Sequence, residues 1–181
     1  MMKRKVFFPF LLVLFVFLIS SCSSAKSKEE NYEVTEKEFE EALNIDNDNY
    51  NDFKIIMKRV NDTTNENSVI EVTNDEYSYY VEEDLIKTGN NNDFKNDFKN
   101  MFSALNNCKS YLNYNKTTKT YDTEILTANK IDNSYPENVY IHMSFKFQDK
   151  KLSTVEQKQY YTNNFTKPNL YVMMTFIYNE K

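Results

Sequence analysis

Val139-Tyr140-Ile141-His142-Met143-Ser144-Phe145-Lys146-Phe147 alternates apolar and polar residues without a break. Successive side chains of a β-strand point to opposite faces, so this stretch predicts a strand with one buried face. It is the most regular strand pattern in the chain and is expected at the centre of a sheet. Residues 152–160 form a more polar strand, expected nearer an edge. Residues 170–178 are apolar on both faces, which predicts a strand covered on both sides. Upstream, residues 53–58, 69–73, 77–81 and the threonine-rich 116–126 also read as strands. Short connections, with turn clusters at 61–67 and 74–75, make the arrangement an antiparallel meander.

Two helices interrupt the strands. Thr35-Glu36-Lys37-Glu38 fits a capping box, with Val34 and Phe39 placed as a hydrophobic staple, and predicts a helix over 36–44. The tandem Asp93-Phe94-Lys95-Asn96 and Asp97-Phe98-Lys99-Asn100 puts Phe94, Phe98 and Phe102 on one helical face. Met101, Leu105, Cys108, Tyr111 and Leu112 continue that stripe, so a second helix is expected over 93–112, packed on a sheet. The fold class is therefore α+β, in the order α-βββ-α-ββββ. An antiparallel sheet of about six to seven strands, flat or curved, carries both helices on one face.

Composition narrows the chemistry. The chain has 181 residues, one histidine, one glycine and two cysteines. One glycine excludes phosphate-binding and dinucleotide-binding glycine loops, and one histidine excludes a multi-histidine metal site. Two cysteines exclude a disulfide framework or a cysteine-built zinc site. Residues 1–21 hold Lys3, Arg4 and Lys5 and no acid; without them 19 basic and 27 acidic residues remain, a formal charge of −8. A chain so acidic carries no electrostatic footprint for nucleic acid.

The N-terminus reads in three parts: a basic start, an apolar run over 6–19, and Ser20-Ser21 before Cys22. About 14 apolar residues are short for a membrane span, so 1–21 reads as a secretory signal. Ile19-Ser20-Ser21-Cys22 resembles the lipobox of bacterial lipoproteins. That resemblance implies a diacylglyceryl group on the Cys22 thiol and cleavage that makes Cys22 the first mature residue. Two acyl chains anchor stably where one is marginal. Residues 22–33 lack apolar periodicity and read as a polar tether reaching roughly 15–20 Å. Residues 34–181 remain for one domain.

No catalytic motif accompanies these elements. His142 stands on the polar face of its strand beside Tyr140, Ser144 and Lys146, without a nucleophile motif. Glu40-Glu41 and Glu82-Glu83 are sequence neighbours, which points them apart. Asp46-Asn47-Asp48-Asn49 suggests a calcium loop, but Asn51 and Met57 stand where an EF-hand needs glycine and glutamate. Cys108 lies in the apolar stripe and reads as a buried hydrophobe. The one compositional signal for binding is tyrosine: Tyr77, Tyr79, Tyr80, Tyr160 and Tyr161 cluster near strand ends, and tyrosine suits contact surfaces.

These readings lead to an extracytoplasmic, membrane-anchored, non-catalytic domain that binds a protein or a hydrophobic ligand, without metal or cofactor. The element order also loosely resembles lipid-carrier half-barrels of bacterial envelopes, which implies an alternative: a carrier with apolar cargo between the second helix and the sheet.

Overall fold

The computed structural model describes residues 34–46, 50 and 52–179; residues 1–21, read above as a signal, and 22–33, read as Cys22 and a tether, lie outside them. The first helix, α1, is Glu36–Ala42. Four strands follow, β1 Phe53–Asn61, β2 Asn65–Val72, β3 Glu76–Val81 and β4 Asp84–Asn90, then helix α2 Asn91–Asn107. A 3-10 turn at Cys108–Tyr111 leads into β5 Leu112–Asn115, β6 Thr120–Thr123 and β7 Leu126–Thr127. After a 3-10 turn at Ala128–Lys130 come β8 Tyr140–Gln148, β9 Lys151–Tyr160 and β10 Leu170–Tyr178. All strand pairs are antiparallel, in the order β4-β3-β2-β1-β10-β9-β8-β6-β5, with β7 paired to β8 beside the main path.

The α+β class and the two helices on an antiparallel sheet hold, but the sheet has ten strands rather than six or seven. The order is α-ββββ-α-ββββββ, not α-βββ-α-ββββ. One addition is β4, an edge strand exposed along nearly its whole length, which leaves no apolar alternation to read. Another is the division of 116–126: the main chain turns back between Asn115 and Thr120, with Lys119 at a φ of 56°. The second helix ends sooner than its apolar stripe, because Cys108 begins the tighter 3-10 turn.

Strand positions also differ from expectation. β10, not β8, occupies the middle of the sheet, and β9 lies inside it rather than near an edge. β9 looks polar because of Gln157 and Gln159. Both are nevertheless buried on the inner face, hydrogen-bonded to the Tyr135 side chain. β10 is covered on one side only; its outer residues Tyr171, Met173 and Thr175 are half-buried and Ile177 is exposed.

Register defines that inner face. Residues directly opposed in an antiparallel pair share a face. Tyr79, Ile70, Ile55 and Phe176 therefore form one row, and Met57, Met174, Val155 and Phe145 another. All eight are buried. Helix α2 covers the β1–β4 half through Phe94, Phe98, Met101, Phe102 and Leu105. Phe94 meets Phe53 edge-on with centroids 5.5 Å apart, and Phe98 meets Tyr77 at 6.0 Å. Helix α1 covers the other half, with Phe39 at 5.2 Å from Phe145 and 5.5 Å from Phe147. The Tyr50 hydroxyl donates to the Ala42 carbonyl at the end of α1, and Lys109, in the 3-10 turn after α2, pairs with Glu40 on α1.

Both helices start where local chemistry dictates. The Glu38 amide donates to Thr35 Oγ1 at 3.2 Å, and the Thr35 amide donates to Glu38 Oε2 at 2.8 Å, the capping box read in the sequence. At α2, Asn90 Oδ1 accepts from the Asn92 and Asp93 amides while Asp93 Oδ2 accepts from the Asn90 amide. Gly89 sits against this cap: a Cβ there would lie 2.8 Å from both Asp93 Cβ and Tyr77 Cε1. The sole glycine is thus required by close approach of β4, α2 and Tyr77.

Two hairpin turns lack the glycine their geometry favours. Glu82 and Glu83 have φ of 48° and 74°, and Asp149 and Lys150 have 50° and 62°. Each pair forms a two-residue turn with both φ positive, where Asn-Gly is preferred. Glu83→Gly should therefore stabilise the domain by about 0.5–1 kcal/mol, read as a higher urea midpoint with an unchanged slope. An unchanged or lower midpoint would count against the turn geometry.

Candidate functional site

The five tyrosines singled out from the sequence separate into three environments. Tyr77 and Tyr79 face inward and are buried under α2. The Tyr77 hydroxyl donates to Asp97 on α2, which also binds Lys87 at 2.5 Å. Burial, then the Asp97 carboxylate, pushes the Tyr77 hydroxyl's pKa above its ordinary range. Tyr80 faces outward, opposite Val69. Tyr160 also faces outward, but Phe165 from the β9–β10 connection packs on it at 5.3 Å and on Tyr140 at 5.4 Å. Tyr161 is 50% exposed beside them. β3 and β9 are separated by three strands, so Tyr80 and Tyr160 stand roughly 19 Å apart across the sheet. The fold does not bring the five together.

His142 lies on the outer face opposite Lys158 and is half-buried. Burial, then the Lys158 ammonium, lowers its pKa against the opposing pull of Asp122 and Glu156. Ser144, its neighbour on that face, donates its hydroxyl proton to Asp122 Oδ1 at 2.5 Å. Cys108 is fully buried, its thiol pushed up to about 12 by burial, which leaves it a protonated apolar side chain. No group of three His, Cys, Asp or Glu that could hold a metal ion occurs among the described residues. No described helix is long and apolar enough to cross a membrane.

The space between α2 and the sheet, where a carrier would hold cargo, is occupied by rings. Tyr50 meets Phe102 at 4.9 Å, Phe94 meets Phe98 at 5.1 Å, and Phe102 meets Phe176 at 6.3 Å.

An open space lies instead on the outer face. A groove of about 510 Å³ runs over β1–β3, with Val69 and Tyr80 as its half-buried floor. Register extends that floor into an apolar row across the sheet: Leu85 opposes Tyr80, Tyr80 opposes Val69, and Val69 opposes Ile56. Leu85 is 56% exposed. Carboxylates flank both ends along the strands. At one end Glu71 is paired with Lys54 at 2.6 Å. At the other, Glu82 accepts from the Asn67 amide at 2.5 Å and its side-chain nitrogen at 3.1 Å, with Glu83 beside it. Glu83 has no hydrogen-bond or ion-pair partner among the described residues. The sequence offered one signal for this site, Tyr80; the acidic turn read only as a solvated pair.

A second, smaller cavity of about 250 Å³ lies where the chain enters the domain. Thr35, Phe39, Lys109 and Tyr121 line it, and the Tyr121 hydroxyl donates to the Val34 carbonyl at 2.9 Å.

No protein-family model matches this chain, and no curated protein is similar to it.

Proposed function

We propose that the chain is a bacterial lipoprotein, held outside the cytoplasmic membrane by a diacylglyceryl group on Cys22, whose domain binds a partner without catalysing a reaction. The observation that carries the anchor is the order of the first 22 residues: basic start, short apolar run, then Ile19-Ser20-Ser21-Cys22. Binding is favoured over catalysis by the character of the sites: the outer groove is open and apolar-floored, whereas His142 sits on a strand face with its neighbouring serine turned to Asp122. Binding at the outer face is favoured over cargo in the interior by the rings packed under α2.

Metabolic labelling with palmitate tests the anchor. The unaltered chain should incorporate label and partition into detergent, and Cys22→Ser should lose essentially all of it. Persistent labelling of Cys22→Ser, or none of the unaltered chain, would overturn the reading.

A further inference from the structure

The geometry points to the outer-face groove as a docking site for a cationic, apolar peptide segment of a partner protein, presented on the side of the domain remote from the bilayer. This rests on the lipid-anchor reading for its orientation and on the groove itself for its chemistry.

The floor requires an apolar ligand body. Val69 and Tyr80 lie between exposed Leu85 and half-buried Ile56, a row crossing β4, β3, β2 and β1 at about 4.8 Å per strand. A contiguous apolar row rimmed by charge is the pattern of a contact surface.

The rim requires positive charge. Glu71, Glu82 and Glu83 surround the floor against two cations, Lys54, which Glu71 already neutralises, and Lys58, which opposes Asn67 on the same face. Asn67 satisfies Glu82, and Glu83 is left to an incoming group. The mature chain carries a formal charge of −8, so its field draws cationic segments and repels an anionic lipid surface.

Position separates this groove from the anchor. The chain enters the domain at Val34, held by Tyr121 on β6. From β6 to β3 the strand order runs through β8, β9, β10, β1 and β2, roughly 29 Å measured along the sheet. Val34, where residues 22–33 join the domain, thus lies towards the opposite end of the sheet from β3 and β4.

The test uses the mature lipidated chain in non-ionic detergent, with calorimetric titration of three probes. These are an alternating lysine–leucine heptapeptide, its glutamate–leucine counterpart, and glycerophosphoglycerol, the water-soluble headgroup of phosphatidylglycerol. The lysine peptide should bind saturably and weaken about tenfold as salt screens the rim. Glu83→Gly should weaken it at least about fivefold, although that change relaxes the turn and so cannot act by unfolding. Val69→Ser should weaken it similarly, and Glu124→Gln, an equal loss of charge elsewhere on the surface, by less than about twofold. Absent or unsaturable binding, equal binding of the glutamate peptide, equal effects of Glu83→Gly and Glu124→Gln, or preferential binding of the headgroup would each overturn the proposal. None of these outcomes alters palmitate labelling, so failure of the groove and failure of the anchor remain distinguishable.

Discussion

Replacing Phe94 with alanine should cost about 3–5 kcal/mol of folding free energy. Phe94 is fully buried and packs against Phe53, Phe98 and Tyr77, so its ring joins α2 to β1 and β3. Truncation loses the transfer free energy of the ring, leaves a cavity, and removes edge-on and tilted ring pairs. Domains are commonly stable by about 5–15 kcal/mol, so this single change takes about a fifth or more of the total. The melting temperature should fall by roughly 6–20 °C. Phe165→Ala, at a position 39% exposed, should cost far less. A loss below about 1 kcal/mol for Phe94→Ala in urea unfolding would contradict the docking of α2 through its phenylalanine ladder.

Alkaline destabilisation should be nearly as large. Burial, then the neighbouring Tyr178 phenol, pushes the Tyr50 hydroxyl well up; burial raises Tyr178 to about 12 and Cys108 to about 12. In the unfolded chain tyrosine titrates near about 10 and cysteine near about 8.5. These groups stay protonated in the native state while the unfolded state releases protons, so raising the pH favours unfolding. Their contribution is complete below the unfolded values and is lost as pH rises towards about 12. Each group contributes about 1.4 kcal/mol per pH unit, on the order of 5 kcal/mol in all at about pH 11. Urea unfolding at a series of pH values reads this loss directly. Cys108→Ala should remove its earliest part, which begins near the unfolded thiol value. A stability that is flat across this range would contradict burial of these groups.

Local chemistry made part of this fold legible in the sequence. The exchange between Thr35 and Glu38, the four-residue spacing of Phe94, Phe98 and Phe102, and the alternation from Val139 to Phe147 each depend on neighbours a few residues away. What was hidden depends on distant partners. β4 pairs only with β3 and buries neither face, so its residues carry no periodic imprint of a core. Its turn is formed by two glutamates in a left-handed conformation, without the glycine that announces such a hairpin. Gln157 and Gln159 read as surface residues because Tyr135, which satisfies them, lies over 20 residues away in sequence.

The candidate site was less legible still. Tyr77 and Tyr79 differ from Tyr80 by the parity of a strand, and a regular alternation already sends them to opposite faces. The sequence does not say that β1, β2 and β10 intervene between β3 and β9, which separates Tyr80 from Tyr160. Nor does it say that Val69 and Ile56 continue the floor that Tyr80 begins, since that row exists only once three strands are in register.

The proposed reading is of a domain anchored through Cys22 and open to a partner at its outer groove, and the anchor is the premise of that proposal. Intact-mass analysis of protein extracted from the membrane tests it most directly. The account predicts a chain that begins at Cys22 and carries a thioether-linked diacylglyceryl group; an unmodified thiol, or a chain that keeps residues 1–21, would contradict it.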